Sequence, residues 1–184
     1  MTQTASAGDA EGRFAPKGPG LIPCKIFLEQ LQQDPQAATM PLVWLTGYIS
    51  AANAFIDDTY DLVTWQTDGI LANLLARSCA QNPEQPIAAA ANGVVQVLGS
   101  SRLTTAQQLT KIEVGEQQGL LYPSVVREIQ QKLSEAGQSL VVDGDFGPGT
   151  AAAIRGFQKS KGLPENGFPD SATLIALYTG NAPQ

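Results

Sequence analysis

Residues 142–158 hold the most restrictive pattern in this sequence, because a tight turn is followed at once by a helix start. Asp143-Gly144 favours a turn, since an Asp side chain bonds nearby backbone and glycine adopts positive φ without steric cost. Gly147-Pro148 then favours a helix start, because proline at the first helical position sacrifices no hydrogen bond. The stretch therefore predicts a turn that leads directly into a helix.

The helix after this turn is predicted to run from about Pro148 to Lys161. Ile154 and Phe157 lie three positions apart, which indicates one apolar stripe facing a core. Gly162 and Pro164 follow, and glycine then proline is a common helix ending.

A second copy of the pattern follows downstream. Gly167 and Thr173 are six residues apart, as Gly144 and Thr150 are, and a glutamine precedes each turn. Asp170 is a suitable N-cap for a last helix. Residues 121–180 are therefore predicted to form three helices joined by two similar turns. The two glutamines are Gln130 and Gln158.

The signature at 143–150, the helix residues 153–158 and the internal copy together resemble the type-1 peptidoglycan-binding family, a small helical module appended to many cell-wall enzymes. The resemblance implies a shallow ligand cleft beside the signature loop and the following helix. Residues lining or shaping that cleft would be Asp143, Gly144, Phe146, Gly147, Thr150, Arg155 and Gln158.

Each of these candidates has a structural alternative. Arg155 suits a stem-peptide carboxylate, because its planar guanidinium binds carboxylates in a bidentate manner. Gln158 is the second polar contact, or else it ties the turns together internally. Phe146 is otherwise core, the glycines serve the turns, and Thr150 is a polar group at a helix start.

Composition excludes several functions. The 184 residues include no histidine, which removes Ser-His-Asp and Cys-His catalysis and His-ligated zinc. Residues 21–100 carry seven acidic and two basic side chains, a net charge of −5, and residues 121–184 have a net charge of −1. Neither part has the basic stripe of a nucleic-acid-binding protein. No apolar run is long enough for a membrane span.

Two acidic groups are candidates for a catalytic or metal site. Asp58 and Asp61 would share a face on a helix, but carboxylates at such positions are most often solvated surface. Asp143-Gly144-Asp145 is similar to the start of a calcium loop, yet Ile154 stands where that loop needs a glutamate. We therefore predict no enzyme activity, no cofactor and no metal.

Residues 21–100 show helical apolar spacing throughout, which predicts a compact four-helix domain. The second helix is expected from Met40 to Phe55. Thr67 or Asp68 is expected to cap the third helix, and Pro86 to open the fourth.

Cys24 and Cys79 lie 55 positions apart, too far for a redox motif. They are either two buried free thiols or one disulfide. The oxidising, wall-facing compartment that the C-terminal resemblance implies favours the disulfide.

The N-terminal helical region also resembles a known group, on residues 24–28, on residues 44–50 and on Cys79 with Asn82-Pro83. These segments are similar to the HdeA-like and Tai-like proteins, small periplasmic helical proteins with one disulfide between the first and a later helix. The resemblance implies a disulfide between Cys24 and Cys79. Some of those proteins are acid-stress chaperones, and others are immunity proteins against type VI secretion wall hydrolases.

The whole chain is predicted to be all-α, with two small helical domains. Residues 1–20 are expected to be a flexible leader, with the export signal absent from this sequence, and residues 101–120 a helical connector. The leading hypothesis is a non-catalytic periplasmic or cell-wall protein whose C-terminal domain binds peptidoglycan and whose N-terminal domain binds a protein partner. The alternative is an immunity or chaperone-type protein that inhibits a wall hydrolase or holds unfolded clients.

Overall fold

The computed structural model describes Asp9 and residues 13–181. The chain divides into two compact units between Thr105 and Ala106. Within the described residues the units contain seven α-helices and one two-stranded sheet. This architecture confirms the predicted all-α class, with one small β element added to it.

The first unit contains the four predicted helices. The sequence signals at their ends hold closely: Thr67 is the N-cap residue of the third helix, and Pro86 directly precedes the fourth. The helices are α1 (Cys24–Gln33), α2 (Thr39–Phe55), α3 (Asp68–Gln81) and α4 (Ile87–Gly99).

Helix α4 is the most deeply buried element of this unit. Seven of its thirteen residues are buried, and its small alanines allow neighbouring helices to approach closely. Phe27, Leu45 and Leu75 from the other three helices join the same apolar cluster. Burying each such large side chain contributes roughly 1.5–3 kcal/mol.

The predicted disulfide between Cys24 and Cys79 is confirmed, and both residues are fully buried. It joins the start of α1 to the end of α3. Hydrogen bonds hold the same junction: the Cys24 amide donates to the Gln85 carbonyl at 2.8 Å, and the Ile87 amide donates to the Ile22 carbonyl at 2.9 Å. The start of α1 is therefore tied to the end of α3 by a covalent bond and to the α3–α4 loop by hydrogen bonds.

The predicted flexible leader lies only partly within the described residues, because residues 1–8 and 10–12 are outside them. Gly18–Leu21 form a short 3₁₀ helix. Gly20 is buried, and a Cβ there would overlap the Trp44 indole. The Phe14 ring stacks on Tyr48, with 5.7 Å between ring centroids. Small size at Gly20 thus lets this segment pack on α2.

The arrangement considered for Asp58 and Asp61, a shared helix face, is wrong. Helix α2 ends at Phe55, and Asp58 has a positive φ of 52° in the loop that follows. Asp61 Oδ1 accepts hydrogen bonds from Asn53 Nδ2 at 3.2 Å and from the Val63 amide at 2.9 Å. Asp61 therefore helps to hold this loop in place.

The second unit contains the three predicted C-terminal helices, preceded by a hairpin. Asp170 caps the last helix as expected, and its side chain accepts a hydrogen bond from the Thr173 amide at 2.8 Å. The elements are β1 (Thr110–Val114), β2 (Gln117–Leu121), α5 (Pro123–Glu135), α6 (Pro148–Ser160) and α7 (Ser171–Thr179).

The helix predicted within residues 101–120 is wrong, because β1 and β2 pair there as an antiparallel hairpin. Thr110, Ile112 and Val114 alternate along β1, and β-branched residues at every second position favour a strand. Gly115, with φ of 60°, begins the two-residue turn between the strands, a position where hairpins favour glycine. Ile112 is buried, which fixes the register of the hairpin.

Candidate functional site

The first signature turn is built around the buried side chain of Gln130 on α5. Its Oε1 accepts from the backbone amides of Asp143 at 3.0 Å and Gly144 at 2.8 Å. Its Nε2 donates to Asp143 Oδ1, the Asp145 carbonyl and Thr150 Oγ1 at 2.9–3.0 Å. One side chain thus satisfies both donors and acceptors of the turn.

The second turn repeats this network around Gln158 on α6, which is fully buried. Gln158 Oε1 accepts from the Gly167 amide at 2.8 Å. Its Nε2 donates to Asn166 Oδ1 at 2.7 Å, to Thr173 Oγ1 at 2.9 Å and to the Phe168 carbonyl at 3.1 Å. The pattern that occurs twice in the sequence therefore corresponds to a hydrogen-bond network that occurs twice in the structure.

An arginine lies three residues before each glutamine and covers the turn glycine. A Cβ at Gly144 would lie 3.2 Å from Arg127 Nη2, and a Cβ at Gly167 would lie 2.9 Å from Arg155 Cζ. Arg127 donates to the carbonyls of residues 142 and 143. No hydrogen bond or ion pair joins the Arg155 side chain to any residue in the described part of the chain. The two arginines share a position in the repeat but differ in their contacts.

Alanine at Gly167 is expected to destabilise the second unit more than alanine at Gly162. Both glycines have positive φ, 74° and 66°, but a Cβ at Gly167 would also lie 2.9 Å from the Ala151 carbonyl, whereas Gly162 faces open space. Backbone strain costs about 1 kcal/mol at either site, and overpacking adds about 1–3 kcal/mol at Gly167 alone. Urea unfolding followed by hydrogen exchange of α6 and α7 measures the difference, and equal midpoints for the two variants would contradict it.

The Asp143 side chain is exposed, but its hydrogen bonds change its pKa. The Asp145 amide, which donates to Asp143 Oδ1 at 2.9 Å, and the Gln130 side chain lower the pKa of Asp143 below its usual range. Because the pKa of Asp143 is lower in the folded state, its ionised form stabilises the fold at pH values above the unfolded pKa of about 3.9. This stabilisation is lost as the pH falls through the folded-state pKa. The first turn is therefore expected to weaken only in acid.

The structure separates the seven predicted site residues into two groups. Gly144, Thr150 and Gln158 are buried in the turn networks, and Asp143 belongs to the first network at its exposed edge. The other three lie together at a surface cleft beside the start of α6. These are Phe146, Gly147 and Arg155.

That cleft has a volume of about 280 Å³ and lies within the second unit. One wall is the signature loop with the first two turns of α6, and the other is the end of β1. No side chain caps the α6 N-terminus, where free amide groups favour an anion. The lining residues are Glu113, Val114, Phe146, Gly147, Pro148, Ala151 and Arg155.

Three important residues are absent from the site predicted by the sequence. The sequence indicates only that Gln130 precedes the first turn, although it is the centre of that network. The sequence does not indicate Glu113 and Val114 as site residues, because it predicts a helix for the segment that forms β1. The repeated spacing of glutamine, glycine and threonine was the available signal for Gln130.

Other site types find no support in the described residues. Across residue 9 and residues 13–181, no three acidic or cysteine side chains cluster in a way that fits a metal ion. In that same part of the chain, every helix falls short of the length or apolar character that crossing a bilayer requires.

Comparison with known proteins agrees with the geometry of the second unit. Residues 123–177 match the family model described as "Putative peptidoglycan binding domain". In sequence, this C-terminal region therefore resembles a peptidoglycan-binding domain. The matched region covers α5, α6 and most of α7, and the hairpin precedes it.

One curated relative shares a short region. The zinc D-Ala-D-Ala carboxypeptidase of Streptomyces albus G is 38% identical over 56 residues, which are 29% of this chain and 22% of that enzyme. The chain thus matches about a fifth of the length of this relative. No solved structure matches the chain.

Proposed function

We propose that this is a non-catalytic, cell-wall-associated protein whose C-terminal domain holds peptidoglycan in the cleft beside α6. The observation that carries the proposal is Arg155, a cation in that cleft without a partner among the described residues. Phe146 and Gly147 contribute the adjoining surface. Asp143, Gly144 and Thr150 shape the loop, and Gln158, being fully buried, supports the second turn instead of contacting ligand.

The cleft suits a stem-peptide carboxylate. Arg155 supplies a planar pair of donors, and the uncapped start of α6 adds a favourable dipole. The zinc D-Ala-D-Ala carboxypeptidase, named for a peptide with such a carboxylate, is similar to this chain over 56 residues. A charge-assisted hydrogen bond of this kind is worth about 1.5–3 kcal/mol.

Arg155→Gln is expected to weaken retention of the full chain on purified sacculi about tenfold or more, as the loss of one charge-assisted contact implies. Lys159→Gln is the matched control, because it removes one positive charge from the exposed side of α6 without touching the cleft. Co-sedimentation with sacculi measures both. Equal retention of the two variants would contradict a role for Arg155, and failure of the unaltered chain to sediment would overturn wall binding.

For residues 21–100 we propose a protein partner with a basic, partly apolar surface. Phe55 is 79% exposed at the end of α2, and Ile56 and Tyr60 are also exposed in the loop that follows. Asp57 and Asp58 lie in the same loop. Exposed apolar side chains beside like charges are typical of a contact surface for an oppositely charged protein.

The likeness to HdeA-like and Tai-like proteins, and with it a periplasmic location, belongs to this proposal. A partner captured from a periplasmic extract by the unaltered chain and lost with Phe55→Ser supports it. Ser50→Ala, on the exposed surface of the same helix, is the control. Inhibition of a captured wall hydrolase would favour an immunity role, and suppression of aggregation in acid would favour a chaperone. Capture that is equal in both variants would remove this surface from the proposal.

A further inference from the structure

The cleft beside α6 has a second wall that lies outside the matched peptidoglycan-binding region. The family match begins at residue 123, whereas Glu113 and Val114 belong to β1 of the preceding hairpin. The hairpin belongs to the same compact unit as the helices. A contribution to the cleft from this segment is therefore a property of this chain and not of the matched helices.

The hairpin is held in place against the second turn. Ile112 is buried, and a Cβ on Gly119 would lie 3.1 Å from Phe168 Cζ and 3.8 Å from Ile112 Cγ1. Strand β2 therefore passes close to the Phe168 ring through a position without a side chain. This contact positions the opposite strand, and with it Glu113, at the cleft.

The residues that line the cleft thus include one acidic and one basic residue, Glu113 and Arg155. No ion pair joins them in the part of the chain that the structure describes. Glu113 pairs instead with Lys111, and both of these side chains are more than half exposed. An exposed pair of this kind contributes only about 0–1 kcal/mol, so a ligand ammonium group can compete for the carboxylate.

We propose that the hairpin makes this cleft selective for a zwitterionic peptide group, whose ammonium binds Glu113 and whose carboxylate binds Arg155. The inference rests on the proposed wall binding and adds the chemical class of the ligand. Stem peptides with a free amine and a free carboxylate fit both charges, whereas peptides with a blocked amine fit only Arg155. The apolar Val114, Phe146 and Ala151, which also line the cleft, accommodate the aliphatic part of such a group.

The test compares retention of the full chain on untreated sacculi that carry free stem-peptide amines and on the same sacculi after N-acetylation. Acetylation is expected to lower retention of the unaltered chain about fivefold, the effect of losing about 1 kcal/mol. Glu113→Gln is expected to lose much less retention on acetylation, because only the general charge effect of acetylation acts on it. Glu116→Gln is the matched control, because it removes the same charge from the exposed hairpin turn, away from the cleft.

Acetylation also makes sacculi more negative, which weakens binding of any acidic protein, and this general loss is expected equally in both variants because they carry the same net charge. A loss of retention on acetylation that is clearly larger in Glu116→Gln than in Glu113→Gln supports the inference. Equal sensitivity of the two variants, or none in the unaltered chain, overturns the inference but leaves wall binding intact. Absence of retention on untreated sacculi overturns both.

Discussion

Gln130→Leu is expected to destabilise the C-terminal unit by about 2–5 kcal/mol, since each buried polar group left without a partner costs about 1–3 kcal/mol. Leucine is of similar size but removes the acceptor for the amides of Asp143 and Gly144 and the donor for Thr150 Oγ1. Gly144 and Thr150 are buried, so water replaces these bonds poorly. The free energy of unfolding of a small domain is only about 5–15 kcal/mol. The destabilisation expected for Gln130→Leu is a large share of it.

Hydrogen exchange of α5 and α6 is the suitable measurement, because both tryptophans, Trp44 and Trp65, lie in the first unit. Exchange in these helices should accelerate strongly, while the tryptophan unfolding transition should move much less.

The matched control is Asp143→Asn, because the second turn carries Asn166 at the equivalent position with the same contacts. The control should cost less than about 1 kcal/mol, as a replacement that keeps its hydrogen bonds does. It should also remove the acid weakening that the lowered pKa of Asp143 causes. A loss of stability in Asp143→Asn as large as in Gln130→Leu would contradict the central role of the glutamine.

The helices could be predicted because local signals coincide with apolar periodicity. Pro148 begins α6 and Asp170 caps α7 as their positions suggest. Ile154 and Phe157 are buried on one face, as their spacing indicates. At these places local propensity and the tertiary fold favour the same structure.

The hairpin could not be predicted from the sequence, because its stability comes from contacts between residues that are far apart in the sequence. Strands β1 and β2 are five residues each and mostly exposed, so only Ile112 and Leu121 are buried. The close approach of Gly119 to Phe168 joins residues far apart in sequence. A short, polar strand pair of this kind has little periodicity to recognise.

Some residues of the candidate site could likewise be predicted from the sequence, and others could not. Arg155 and Phe146 follow from the signature, and both line the cleft. Glu113 could not be found, since its place depends on the hairpin. Gln130 on an amphipathic helix resembles a surface residue, and its burial depends on turn amides thirteen and fourteen positions away. Networks that close over such distances are set by tertiary packing and not by local sequence.

Loss of the Cys24–Cys79 bond is expected to destabilise the first unit by roughly 4 kcal/mol, because opening a loop of this length restores conformational entropy to the unfolded chain. Reduced unaltered protein is the cleanest comparison, since Cys24→Ser with Cys79→Ser would also bury two hydroxyls at fully buried positions. The unfolding transition followed by tryptophan fluorescence should move to a much lower urea concentration after reduction, and hydrogen exchange in α5 and α6 should change far less.

Lys25→Met is the control for the same junction. It removes an exposed ion pair with Glu84, 2.9 Å long, worth about 0–1 kcal/mol. An unchanged tryptophan midpoint on reduction would show that the hydrogen bonds around Cys24 suffice to hold α1 against the α3–α4 loop.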